Sequence, residues 1–178
     1  GCSSGNTNSN TDNLRADSYH AFAAYMADVI EHWNKEGVIT FQSTDPMNEP
    51  ATNYWGANSN KQEGCHFSQG ESQSKILVAL NEELKNKGIN IIISGTDETN
   101  SGYNGGQGGQ IDSYNKLSDE AKAVLGRIDT HTYTRSSLSD LSALAQSEGK
   151  NLWMSEVDGS YTAGTKAGEM SAALGLAG

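Results

Sequence analysis

The 178 residues suffice for one domain or for part of a larger one, and a hydrophobic share of 35% is low but enough for a core. With 22 acidic against 12 basic side chains, the formal net charge of −10 argues against nucleic acid and anionic membrane as partners, since both would repel the chain, and leaves a neutral substrate open. No apolar run approaches the ~20 residues of a membrane span. Cys2 and Cys65 have no metal-ligand spacing and either pair or stay free. The composition, rich in Asn, Ser, Thr and Gly and poor in Lys, matches a secreted protein, and a start at Gly1 without Met or signal peptide is expected to reflect processing or truncation.

Four times an amphipathic helical pattern runs into a glycine and then a short apolar stretch. The first helix is predicted over 16–35, where Tyr19, Phe22, Met26, Val29, Ile30 and Trp33 recur at helical spacing. Gly37 supplies a left-handed stop, and Val38 to Phe41 reads as the first strand. A second helix over 70–87 carries Ile76, Leu77, Leu80 and Leu84, ends at Gly88 and leads into the strand 89–94. A third over 111–125 presents Ile111, Tyr114, Leu117, Ala121, Val124 and Leu125, followed by Gly126 and a strand at 128–133. The fourth, 138–148, has Leu138, Leu141, Leu144 and Ala145, with Ser137 and Asp140 as a loose capping box. Gly149 and a strand at 151–155 follow, and a fifth helical stretch starts near Thr165.

Strands alternating with helices imply right-handed crossovers and a parallel sheet. Apolar strands imply a sheet covered on both faces. An open doubly wound sheet and a (β/α) barrel both satisfy this. The β-to-α connections at 44–69, 95–110, 133–136 and 156–164 include long polar loops, which suggests an active face at the strand C-termini. A full barrel takes ~250 residues. The expected fold class is therefore α/β, a partial (β/α)8 TIM barrel of about four parallel strands. Residues 1–178 would form an interior piece of one barrel, lacking its first strands and its last.

The chemically capable residues all follow strands. These are Asp45, Asn48 and Glu49 after the first, Asp97 and Glu98 after the second, His131 and Tyr133 at the third, and Glu156 and Asp158 after the fourth. In a barrel Glu49 and Glu156 would face each other across the mouth, and two carboxylates ~5 Å apart are what a retaining glycosidase needs. One serves as a protonated acid and the other, ionised, as nucleophile. Asp45 and Asp158 read as turn or cap residues. Asp97 and Glu98 either line the cleft or start the next helix. His131 and Tyr133, two apart on a strand, share a face and point into the mouth, with Tyr133 able to donate to a carboxylate. Trp55, beside Tyr54, either stacks on a sugar face or anchors its loop. Trp153 reads as core or barrel lining. "GYNGGQGG" (102–109) lacks the ending of a phosphate loop, and neither His-Glu-x-x-His nor Gly-x-Ser-x-Gly occurs. The four histidines show no metal spacing, and His20 and His32 are expected on a helix surface.

"MNEP" after the first strand and "WMSE" after the fourth resemble clan A glycoside hydrolases, retaining (β/α)8 barrels. "GCSSGN", "DPMNEPATNYWGANSNKQEGCHFS", "ISGTDET", "DTHTY" and "WMSEVDG" are similar to glycoside hydrolase family 30, and within it to the endo-β-1,6-galactanases. The resemblance implies Glu49 as acid/base and Glu156 as nucleophile. It also implies Asn48 on the sugar 2-hydroxyl, Tyr133 orienting Glu156 with His131 nearby, and Trp55, Glu63 and the loop 53–66 binding substrate. It further implies a secreted enzyme, monomeric at full length, with a galactan or arabinogalactan polysaccharide as substrate and neither cofactor nor metal.

Overall fold

The computed structural model describes residues 11–56, 64–103, 108–133 and 136–156. Its elements run α1 (Tyr19–Glu36), β1 (Ser43–Thr44), α2 (Glu71–Asn86), β2 (Ile92–Glu98), α3 (Gln110–Lys116), α4 (Asp119–Val124), β3 (Arg127–His131), α5 (Leu138–Ser147) and β4 (Asn151–Glu156). The strands form one parallel sheet in chain order, β1-β2-β3-β4. Alternating helices and in-order parallel strands make this an α/β fold, a partial (β/α) barrel.

One face of the sheet packs on the helices. Ile93 and Ile128 meet Ile76, Leu77, Leu80 and Leu84 of α2, Leu125 after α4, and Leu141 of α5, all buried. In α1 the buried stripe is Tyr19, Ala23, Ala27 and Ile30. Two alanines let α1 lie close against α2. Phe22 and Met26 are partly buried at the flank, and Trp33, predicted to face inward, is 39% exposed. Gly37 ends α1 with the left-handed φ of 67° that a residue bearing a Cβ rarely adopts. His20 lies on the α1 surface, 3.2 Å from Glu83.

Three sequence expectations need correction. The first strand is not at Val38 to Phe41. Val38 and Ile39 are exposed, and the ladder begins where the Gln42 carbonyl accepts from the Ile92 N–H at 3.1 Å, so that Ser43 and Thr44 pair with Ile92 and Ile93. A strand forms where its backbone finds a partner, not where its side chains are most apolar. The third helix is broken in two. Leu117 is extended, and the Ser118 hydroxyl caps α4 by accepting from the Ala121 N–H at 3.2 Å, with Asp119 and Glu120 in the first turn. Ser137 makes no side-chain cap bond, so the capping box at α5 is absent. The stretch from Thr165, together with Cys2, Glu63 and Asp158, lies outside the described residues.

The other face of the sheet is polar. The Arg127 guanidinium forks onto Asp129 at 2.6 and 2.9 Å, donates to the Ser43 and Ser94 hydroxyls at 3.1 and 3.2 Å, and lies 3.8 Å over the Trp153 ring. Trp153 itself is 57% exposed on β4, whose residues are exposed except for Leu152. Among the described residues no helix is long and apolar enough to cross a membrane.

Candidate active site

Two register shifts shape the C-terminal rim of the sheet. Between Thr96 and Glu98 of β2, one partner step on β3 spans two residues, which makes Asp97 the extra one. Between Met154 and Glu156 of β4, Ser155 is extra in the same way. Bulges at a barrel rim re-aim side chains. Here the Ser155 hydroxyl donates to Asp97 Oδ1, and Asp97 Oδ2 lies 3.4 Å from His131 Nε2. The expectation that Asp97 and Glu98 follow the strand is corrected, since both belong to β2. Asp97 faces the rim, and Glu98 turns away into the helix layer.

Glu49 follows β1 in a tightly held turn. Its φ is 47° and that of Asp97 is 61°, left-handed values costly for residues with a side chain and often met at functional sites. The Glu49 N–H donates to the Asp97 carbonyl at 2.8 Å. The Glu49 carbonyl accepts from the Thr52 N–H at 3.2 Å, the Thr52 hydroxyl at 2.7 Å and the Trp55 indole N–H at 2.8 Å. Its buried carboxylate accepts from the Tyr54 hydroxyl at Oε2 and contacts His131 Nδ1 at Oε1, 3.2 Å away. Glu156 is more open. Its Oε1 accepts from the Tyr133 hydroxyl at 3.1 Å, and its Oε2 lies 2.9 Å from His131 Nδ1.

Glu49, His131 and Glu156 thus each turn one ligating atom to within 4.8 Å of the others. Burial works against a charged imidazole at His131. Hydrogen bonds to Asp97 and Glu49, and the charges of Asp97 and Glu156, overcome it and push the pKa up to about 9. Below that pH His131 is an imidazolium set among three carboxylates. The same three atoms have the geometry to hold a metal ion, but Nδ1 offers a lone pair only after it loses its proton. Burial also pushes Glu98 up to about 7, against hydrogen bonds from Ser113 and Gln73. Burial and the Asp97 charge push Asp45 well above the usual carboxylate range.

Of the residues singled out in the sequence, Glu49, His131, Tyr133 and Glu156 converge, and half-buried Asn48 precedes Glu49. Asp45 is a turn residue whose Oδ1 accepts from the Met47 N–H at 2.9 Å. Trp55 is not exposed as a stacking platform. It is 2% exposed, lies edge-on to Tyr54 and packs where a Cβ on Gly64 would meet its ring at 2.5 Å. Of the two readings left open for Asp97, lining the cleft is the one the structure supports, while Ser155 and Tyr54 were missed and the contact between Asp97 and His131 was not foreseen. Tyr54 carried a visible signal, a hydroxyl five residues from Glu49. Ser155 and the Asp97 contact depend on bulges that no periodicity reveals.

The sequence profile of O-glycosyl hydrolase family 30 matches residues 2–155. An endo-β-1,6-galactanase of Hypocrea rufa is 30% identical over 156 residues, covering 86% of this chain and 31% of its own length. An exo-β-1,6-galactobiohydrolase of Bifidobacterium longum subsp. longum is 30% identical over 205 residues, covering 93% of this chain and 13% of its own. The chain therefore spans less than a third of either relative. Among solved structures, a conserved exported protein from Bacteroides fragilis superposes with a TM-score of 0.72 at 19% identity, over 98% of this chain and 40% of that one. The order of parallel strands, the rim of acids and the match along most of the sequence converge on one assignment: the chain belongs to O-glycosyl hydrolase family 30.

Proposed function

We propose that this chain carries the catalytic pair of a retaining endo-glycosidase acting on β-1,6-galactan, including the side chains of arabinogalactan. The observation behind this reading is the approach of Glu49 and Glu156 to within 4.8 Å around His131. An approach of one carboxylate oxygen from each residue this close is what a retaining pair needs, whereas inverting pairs hold a water between carboxyls roughly 6.5–9.5 Å apart. Glu156 attacks the anomeric carbon while Glu49 donates its proton to the departing glycosidic oxygen, giving a covalent glycosyl-enzyme. Glu49, now a base, deprotonates the water that releases the sugar. Tyr133 orients Glu156, and Asn48 contacts the 2-hydroxyl. The β-1,6-galactan specificity rests on the two relatives, one endo-acting and one exo-acting by name. Residues 1–178 would be an interior piece of a larger, secreted, monomeric barrel enzyme, a reading that the exposed apolar β4 favours.

The test is digestion of β-1,6-galactan, β-1,6-glucan and xylan by the full-length gene product that carries this chain. Release of galacto-oligosaccharides from the first alone supports the reading, whereas digestion of either other polymer moves the substrate within the family. Binding to galactan without turnover would make the protein a carbohydrate-binding module instead. Glu49→Gln and Glu156→Gln should each lower kcat at least about 1000-fold on the polymer. Full activity in either variant contradicts the pair.

A further inference from the structure

We infer that Glu98, which touches no substrate in this mechanism, is a positioning residue that holds the Glu49 turn in its acid/base geometry. The inference rests on the reading of Glu49 given above. The Glu98 side chain is completely buried on the helix side of β2. A buried carboxylate is costly unless its lone pairs are filled, and here three separate elements fill them. Oε2 accepts from the Ala51 N–H at 3.2 Å. Oε1 accepts from Gln73 Nε2 on α2 at 2.8 Å and from the Ser113 hydroxyl on α3 at 2.5 Å.

Ala51 is two residues past Glu49, within the same turn. The Glu49 N–H is tied to the carbonyl of Asp97, the neighbour of Glu98. The turn is thus fixed at both ends to consecutive residues of β2, by a main-chain bond before the carboxylate and a side-chain bond after it. Glu49 needs this support because its left-handed φ persists only where the surroundings over-determine it. The fit around Glu98 leaves little slack, since a Cβ on Gly108 would lie 2.2 Å from Oε2. In Glu98→Gln one acceptor oxygen becomes an N–H donor, so either the Ala51 N–H or the Gln73 and Ser113 donors lose their partner and the support of the turn is weakened.

The test compares two aryl β-1,6-galactobiosides in the full-length gene product, one whose leaving group departs without protonation and one that needs the acid. The ratio of their kcat/KM values is independent of the fraction of folded enzyme, so partial misfolding does not blur it. Glu98→Gln should lower the rate on the acid-dependent substrate about 10- to 100-fold more than on the other. Ser113→Ala, which keeps the carboxylate but removes one donor, should show the same skew in smaller degree. Equal loss on both substrates in Glu98→Gln, or no loss, overturns the inference. Glu49→Ala is the reference. If Glu49→Ala itself shows no skew and no restoration by azide, the acid/base reading fails. If Glu49→Ala shows both and Glu98→Gln shows neither, only the role of Glu98 fails.

Discussion

Trp55 donates its indole N–H to the main-chain carbonyl of Glu49 across 2.8 Å, from a ring that is 2% exposed. Trp55 is therefore part of the wall behind the acid, not a surface beneath the sugar. Trp55→Ala should destabilise the fold by about 3–5 kcal/mol through the cavity it leaves. Trp55→Phe, which keeps one aromatic ring but loses a hydrogen bond and part of the indole volume, should cost less, about 1–3 kcal/mol. Denaturant unfolding checks both. A Trp55→Phe variant of unchanged stability whose KM alone rises would instead make Trp55 a substrate contact.

Two glycines separate backbone strain from steric overlap. Gly37 has φ +67° and nothing within 4 Å of a built Cβ, so Gly37→Ala should cost about 1 kcal/mol from backbone conformation alone. Gly108 has φ +73° and Glu98 Oε2 at 2.2 Å, so Gly108→Ala should cost clearly more and lower activity as well. Thermal unfolding of the two variants side by side makes the comparison.

The buried Arg127–Asp129 fork gives a pair test. Arg127→Ala strands a buried carboxylate and should cost about 3–5 kcal/mol. Arg127→Leu combined with Asp129→Leu should cost less than the sum of its single variants, because neither charge is left alone. Additive losses in a double-mutant cycle would mean that the fork contributes no coupling.

Stability should fall in two steps as pH rises. Glu98 moves from 4.5 up to about 7 on folding, chiefly through burial. Its raised pKa favours the fold below 4.5, and that contribution is lost as pH climbs toward 7. His131 moves from 6.5 up to about 9, where its carboxylate partners outweigh burial. Its contribution is complete below 6.5 and is lost on passing 9. Denaturant midpoints measured from pH 4 to 10 should show both steps. His131→Gln should remove the upper one and Glu98→Gln should shrink the lower, to which buried Asp45 contributes in the same direction, and an NMR titration should place the His131 midpoint near 9. A midpoint below 6.5 would mean that the three carboxylates do not hold the ring charged.

The helices and the rim of acids were legible because their signals are local. Ile76, Leu77, Leu80 and Leu84 mark a buried face by spacing alone, and Glu49 and Glu156 stand out as acids close to strand ends, although Glu156 proves to be the last residue of β4. The elements that were misread depend on distant partners. Val38 and Ile39 look like a strand, yet the ladder falls on Ser43 and Thr44 because β2 begins pairing there. Asp97 and Ser155 come to the site through register shifts, which single-strand alternation conceals. Arg127 carries no sequence signal of its role, since it meets Asp129, Ser43, Ser94 and Trp153 only once four strands are assembled. The break at Ser118 did have a local signal, a capping serine followed by two acids, which the apolar periodicity from Ile111 to Leu125 masked.

The central claim, that Glu156 and Glu49 work as nucleophile and acid on one sugar ring, is tested most directly by trapping. The full-length gene product is incubated with a 2-deoxy-2-fluoro β-1,6-galactobioside bearing a good leaving group, then digested and sequenced by mass spectrometry. The account expects one fluoroglycosyl adduct, on Glu156, formed in Glu49→Ala as well and released on adding an acceptor sugar. An adduct on another residue, or turnover with inversion and no adduct, would contradict it.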